Sequence, residues 1–600
     1  MTPTAHEIAN AAWIDDEPVP VAWASGPWEL QLRGDELADI SFDGEPVLRS
    51  IRAVARDRDW GTVPSVVTAI EPTSNGLAID IAMRGLGGEF TARIDVVADT
   101  TSMTVDLALV AVTEFWRNRI GLVVLHPQSV AESPLTVVDQ AGRATETEFP
   151  GQISPHQPAF DIASLAWTAG GIRSTLEFRG DSFEMEDQRN WSDASFKTYS
   201  TPLALPFPVY IAAGTRIEQS ITLKSERIGE SDRATADTAI AMVSAGRPAP
   251  SITESASSEP GQVPPGFTLE AGGVLVELEV ATGTWRAALE RAVQEAGPAA
   301  LDVRIVARSA SDVELALDAL AGIHLARLGV FSPISHVTEP ELWLALVNGT
   351  AERQIVADLV GGTRGHFTEL NRNHETIPAD LPALTFSMTP QMHTTSRHQL
   401  VESIATQRII AENAVRIAHG RPIHIGPITL RARFKAVATS DASADGDRSD
   451  DVTASDASGD NPSGLSGGYG AAGMPGSSDP RQSSEALVAW TIASAAALSI
   501  EGVASISYFE TWGPRGTARD HPFPVATAIH WLNELAGGEL LVPVTRPPEG
   551  VWAIGARVHG QAIVLVANLQ EADVEVRVRT ESAEEATVSL PPFAAARVIL

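Results

Sequence analysis

From about Trp28 to Leu223 apolar and polar positions alternate in short runs. LAIDIAM (Leu77 to Met83), ARIDVVAD (Ala92 to Asp99) and MTVDLALVAV (Met103 to Val112) are examples, broken by Gly, Pro, Asn and Asp. A period of two marks strands with one buried face. No stretch there keeps the 3.6-residue period of a long helix, so residues 1–230 are read as an N-terminal β-sandwich. Residues 231–266, rich in Ser, Glu and Pro, are read as a connection. The rhythm then changes to apolar runs that alternate with helix-like ones. Eight strand candidates follow: VLVELEV (Val274 to Val280), LDVRIVA (Leu301 to Ala307), HLARLGVF (His324 to Phe331), IVADLVGG (Ile355 to Gly362), HFTELNRN (His366 to Asn373), ALTFSMTPQMH (Ala383 to His393), IHIGPITLRARF (Ile423 to Phe434) and VASISYFETWG (Val503 to Gly513). Eight is the count of a (β/α)8 barrel of the TIM type, placed over residues 267–538. A full helix is missing between the fourth and fifth candidates. Short alternating strands return over 539–600, read as a small C-terminal β-sandwich. The fold class is thus multidomain, α/β plus all-β, with the barrel flanked by two β domains.

An Asp/Ser/Gly tract at 437–484 interrupts the barrel pattern and gains too little burial to fold, so it is expected to be disordered. GLSGG (Gly464 to Gly468) and GYGAAG (Gly468 to Gly473) lie inside it. Neither has the strand before and helix after that a nucleophile elbow or dinucleotide loop needs, and both are set aside.

The formal net charge of −33 disfavours nucleic acid and anionic membrane as partners, since both require a basic face. With no cysteine there is no disulfide, thiolate nucleophile or Cys-ligated zinc. The first residues lack the basic and apolar regions of a secretory signal, and Trp490 to Ile500 is too short to span a bilayer, so a cytoplasmic location is expected. Homo-oligomerisation is left open.

Phe183 to Tyr199, FEMEDQRNWSDASFKTY, concentrates charge of both signs beside amides and Trp191. Such a composition suits a polyhydroxylated ligand, whose hydroxyls need donors and acceptors and whose ring needs a flat partner. The segment is expected to leave the sandwich and lie over the barrel mouth, bringing Arg189, Asn190, Asp193 and Lys197 to the ligand. Alternation within the barrel strands turns Glu277, Asp302, Arg304 and Arg327 inward, where an internal ion-pair network is expected. At the carboxyl ends of the strands, where such barrels build their sites, stand Glu369, Asn371, Arg372, Gln391, His393, Arg431, Glu510, Trp512 and Arg515. Glu369 and Glu510, three strands apart, suit general acid and base work on a sugar-sized ligand. His366 and His374 flank Glu369 at a spacing that matches no zinc pattern, so no metal and no cofactor are expected.

GLVVLHP (Gly121 to Pro127), EMEDQRNWSDASFKTY, FTELNRN, FSMTPQMH, HIGPITLRARF and YFETWGPRG together resemble the D-apionate lactonase family of D-apiose catabolism. The resemblance implies a barrel between two β domains and hydrolysis of D-apionolactone to D-apionate. In the reading that follows, Glu369 or Glu510 is the general base that activates water, while His393 and Arg431 stabilise the oxyanion. Arg189, Asn190, Asp193, Lys197, Asn371, Arg372, Gln391, Trp512 and Arg515 bind substrate. Two alternatives stand beside it: a retaining glycoside hydrolase using Glu369 and Glu510, and a sugar-acid binding protein without turnover.

Overall fold

In the computed structural model residues 10–13, 17, 19–229, 239–434, 476–544 and 547–600 are described. Seventeen strands between Val21 and Arg227 pair in one antiparallel hydrogen-bonded network. The alternating sequence is what makes it possible: Gly88–Ala98 buries almost every second residue, and these side chains join Trp28, Ile79, Leu107 and Phe196 in one core. Two long strands, Glu45–Asp57 and Phe115–Pro127, run antiparallel through this domain.

The barrel closes with eight parallel strands: β1 (Ser251–Ser255), β2 (Gly273–Glu279), β3 (Ala300–Val306), β4 (Leu325–Phe331), β5 (Asp358–His366), β6 (Leu384–Met388), β7 (Ile423–Ile428) and β8 (Val503–Glu510). Outside them lie α1 (Trp285–Ala296), α2 (Ala310–Ala319), α3 (Pro340–Arg353), α4 (Phe367–Asn373), α5 (Arg397–Ala418), α6 (Ala486–Leu498) and α7 (Val525–Leu535).

Two of the expected strands need correction. The runs Ile355 to Gly362 and His366 to Asn373 are not two strands: β5 takes the chain to His366, and FTELNRN is helix α4. That explains the helix missing between them. The count is restored by β1, SITES, which lies within the stretch expected to be a connection. Thr253, Glu254 and Ser255 are buried, Glu254 accepting from the Thr517 hydroxyl, and β1 pairs in parallel with β8 to shut the barrel. The same stretch supplies Ala239–Pro248, which lies between Val574–Thr580 and Glu539–Pro543 in the seven-stranded C-terminal sheet. That sheet and helices α5 and α7 enclose α6, which is apolar on every side and buried along almost its whole length. No helix among the described residues is long and apolar enough to cross a membrane.

Inside the barrel Asp302 receives Arg304 and Arg327 at 2.6 Å each, and Arg304 also reaches the Thr385 hydroxyl at 2.6 Å. Glu277 belongs to a separate cluster: Arg364 and Arg433 each hold it at 2.9 Å. Burial raises this carboxyl, but the two guanidinium groups outweigh burial and hold it down at about 2.

Of the acidic tract, residues 437–475 and both motifs set aside within it lie outside the described residues. Its end does not behave as expected. Pro480–Ser483 forms a short 3₁₀ turn, with Asp479, Arg481 and Gln482 buried against the barrel rim.

Candidate active site

A cavity of about 470 Å³ lies between the N-terminal sheet and the carboxyl ends of β5 and β6. Its sheet side is formed by Glu45–Asp57, Phe115–Pro127 and the hairpin of Phe183–Asp187 and Ser195–Tyr199, and its barrel side by His366, Glu369, Arg372, Met392 and His393.

The hairpin does not leave the sheet as expected. Phe183, Met185 and Phe196 are core residues, and Ser195–Tyr199 pairs with Phe115–Pro127 from Pro127 to Val123. A strand period hidden among charges turns Glu186, Lys197 and Tyr199 to the cavity. The tip is a 3₁₀ turn, Gln188–Trp191, opened by Asp187, whose carboxylate accepts from the Arg189 amide. Ser192 ends it in the left-handed region at φ 68°, and the chain is thereby turned so that Asp193 meets the barrel.

There the Nδ1 of His393 lies 2.7 Å from Oδ2 of Asp193, two hundred residues earlier in the chain. An ionised carboxylate only accepts, so Nδ1–H donates and Nε2 is left for a ligand. Trp191 packs edge-on against the imidazole at 5.6 Å, and the Arg372 guanidinium covers Trp191 at 5.1 Å.

Glu369 sits in the first turn of α4, only 9% exposed. Its Oε2 has no hydrogen-bond partner among the described residues, and Gly365 leaves room for it, since a Cβ there would stand 2.9 Å away. Burial pushes its carboxyl up to about 7. On the opposite wall Lys197 and Glu186 form a buried ion pair. Burial raises Glu186, but Lys197, with His393 and Arg372 behind it, holds the carboxyl below its ordinary range, while burial lowers the Lys197 ammonium. His366, also lining the cavity, has neither ring nitrogen bonded among the described residues, and burial with the nearby Arg433 drives it down to about 3, so the ring is neutral.

The cavity thus gathers Glu369, His393, Asp193, Lys197 and Arg372 from the expected residues. The others have different work. Arg189 is buried on Asp187 and stacks on Phe196 at 4.4 Å, and its Nη2 donates to the Pro150 carbonyl. Asn371 donates to the Asn190 side chain at 2.9 Å and to the Ile153 carbonyl, fastening hairpin to barrel. Gln391, Arg431 and Arg481 converge on Asp479, at 3.0, 2.9 and 2.8 Å, and do not line this cavity. Glu510, 3% exposed, accepts from the Ser258 hydroxyl at 2.7 Å and is paired with Arg515; neither lines the cavity. Trp512 donates to Glu295 at 2.8 Å. Glu510, Arg431, Gln391, Arg189, Asn190, Asn371, Trp512 and Arg515 thus stand outside this cavity with protein partners of their own, although Nε and Nη1 of Arg515 have none among the described residues. No group of three or more His, Asp or Glu able to hold a metal ion occurs among the described residues.

Trp60, Arg56, Arg119, Glu186, Tyr199 and His366 line the cavity as well and were not among the expected site residues. For Arg52, Val54 and Arg56 the signal was parity: spaced by two within RAVARDRD, they share one face of a strand.

The sequence matches the D-apionate lactonase N-terminal domain over residues 8–228 and the D-apionate lactonase TIM barrel domain over residues 262–457 and 466–537. It is 26% identical to the D-apionate lactonase of Brucella anthropi across 97% of each chain. Among solved structures, a GH30 endoxylanase from Clostridium papyrosolvens is similar at 8% identity and a TM-score of 0.36, over 60% of this chain and 99% of that one. A galactose mutarotase-like protein from Lactobacillus casei is similar at 8% identity and a TM-score of 0.26, over 35% of this chain and 100% of that one.

Proposed function

The chain belongs to the D-apionate lactonase family and is an ester hydrolase of the lactonase type, and from that premise we propose that it converts D-apionolactone to D-apionate in the cavity between sheet and barrel. The observation that carries the reading is the pairing, in one cavity, of a carboxylate with a free oxygen and burial-raised basicity with a carboxylate-oriented imidazole. Glu369 is the general base. A carboxylate that burial raises to about 7 is far more basic than an exposed one, so it can draw a proton from water as the water attacks the ring carbonyl. His393, its Nδ1–H held by Asp193, acts when Nε2 also carries a proton: that N–H donates to the developing oxyanion and its proton then passes to the ring oxygen as the acyl bond breaks, to be replaced by the one Glu369 took from water. Asp193 sets the tautomer and orients the ring. Arg372 and Lys197 add positive charge as the tetrahedral intermediate forms, and Trp191 offers a flat face to the sugar carbons.

The β domains are each read as sandwiches, on the alternation of buried and exposed residues along their strands. A retaining glycosidase would need Glu369 and Glu510 facing one bond, and Glu510 lies outside the cavity in its pair with Arg515. The test is acid release from D-apionolactone by purified protein, compared with Glu369→Gln. Turnover that depends on Glu369 is the expected result; no acid release at all would overturn the reading.

A further inference from the structure

The sheet end of the cavity holds two cations without acidic partners. Arg119 is 4% exposed, and among the described residues its Nε and Nη2 make no hydrogen bond, while Nη1 donates to the Asn118 carbonyl. Its direct cross-strand neighbour is Arg56, half-buried, which donates to the Trp60 carbonyl at 3.2 Å. Among the described residues neither has a carboxylate within ion-pair distance. The acids whose charge reaches them have partners of their own: Glu184 accepts from the Tyr199 hydroxyl and the Leu203 amide, Glu186 is held by Lys197, Asp193 by His393, and Asp57 accepts from the Asp59 and Gly61 amides. Like charges directly opposite on paired strands repel, and a buried guanidinium with free donors is costly, so this arrangement asks for an anion. Burial accordingly lowers Arg119 and Arg56 alike.

The surroundings are built around the guanidinium. The rings of Trp60 and Phe207 lie 5.1 and 5.3 Å from the Arg119 carbon and pack edge to face with each other, fixing the plane without using its N–H donors. Trp60 takes φ 68°, an unusual conformation for a bulky residue, and Asp57 holds the turn by accepting from the amides of Asp59 and Gly61 at 3.0 and 2.7 Å. All four residues Arg56, Trp60, Arg119 and Phe207 line the cavity. Leu125 is the strand partner of Lys197 at the catalytic end, and Arg119 lies six residues from it along the strand, ~20 Å at the usual rise.

We propose that Arg119 and Arg56 form an oxyanion-binding subsite at the sheet end of the cavity, one that takes a carboxylate or phosphate group. The fork of free N–H donors on Arg119 matches such a group, and the two rings bar its guanidinium from bulk water. The inference stands without the lactonase reading, because it concerns binding alone.

Calorimetric titration of the full-length protein with inorganic phosphate, and separately with sodium D-apionate, tests it at ionic strength matched with sodium chloride. At least one anion is expected to bind saturably, and Arg119→Gln and Arg56→Gln are each expected to weaken it by about tenfold or more. Arg143→Gln, at an exposed arginine of the same domain that does not line the cavity, should leave that binding unchanged. Binding of phosphate alone identifies a phosphate group as the occupant, binding of D-apionate alone a carboxylate, and binding of both a general oxyanion site. Should Arg119→Gln fail to fold, Arg56→Gln carries the test on its own. The proposal is overturned if neither anion binds beyond the chloride control, if the Arg119 and Arg56 variants bind as the wild type does, or if Arg143→Gln weakens binding as much as they do.

Discussion

Glu369 and Glu510 are both buried carboxylates at strand ends, and they are expected to fail in opposite ways. Glu369→Gln should lower kcat by about 10²–10⁴-fold, the usual worth of a general base, without lowering Tm. Its stability has a pH signature. Because burial raises the folded-state carboxyl from 4.5 to about 7, the native state binds a proton that the unfolded chain has lost, and stability falls as pH rises through that interval. The loss amounts to roughly 3 kcal/mol at 1.36 kcal/mol per unit. Denaturant unfolding at pH 5 and pH 8 should show this fall in the wild type and a smaller one in Glu369→Gln. Glu510→Gln instead strips Arg515 of its buried partner and should cost about 3–5 kcal/mol while the folded fraction keeps its turnover within a few-fold. Sequence proximity hinted at the Glu510 pair, since Arg515 is five residues on, but nothing local could join Asp193 to His393 across two hundred residues.

At the scale of elements, the hairpin Phe183–Asp187 and Ser195–Tyr199 both completes the sheet and walls the cavity. Asp193→Asn should therefore lower kcat by about 10²-fold or more with little change in Tm, by leaving the imidazole without its orienting carboxylate. Lys197→Met is a different case: it isolates buried Glu186 and should destabilise by about 3–5 kcal/mol, measurable by denaturant unfolding. The charge density of this stretch led to the expectation of a ligand wall, and part of it lines the cavity; its membership of the sheet was not legible, because only Phe183, Met185 and Phe196 carry the apolar alternation. The barrel was legible from its long apolar strands. Strand β1 was not, since SITES buries Ser, Thr and Glu on hydrogen bonds rather than apolar surface, and seven residues of α4 are too few to show a helical period. Deleting 437–475 should leave turnover within a few-fold by the composition of that tract. Extending the cut through Ser484 removes Asp479, on which Gln391, Arg431 and Arg481 converge, and should lower Tm in a thermal melt.

In the whole molecule, the proposed site lies where the N-terminal sheet meets the barrel. Asp193, Lys197 and Trp191 come from one side, and Glu369, Arg372 and His393 from the other. The junction is fastened by Asn371 on Asn190, by Arg372 on the Pro155 carbonyl, and by Arg49, whose Nη2 meets Glu402 at 2.7 Å. Such a junction suits a small polar substrate, because the two walls enclose it from water while each retains its own rigid core. The central claim is that this junction hydrolyses a sugar lactone with Glu369 as base. It is tested most directly by the pH dependence of kcat/KM on D-apionolactone, read as acid release. The wild type should lose activity as pH falls through about 7, where Glu369 takes up its proton, and Glu369→Gln should retain only a residual rate without that limb. Acid release at the wild-type rate from Glu369→Gln, with the same limb near pH 7, would contradict the account.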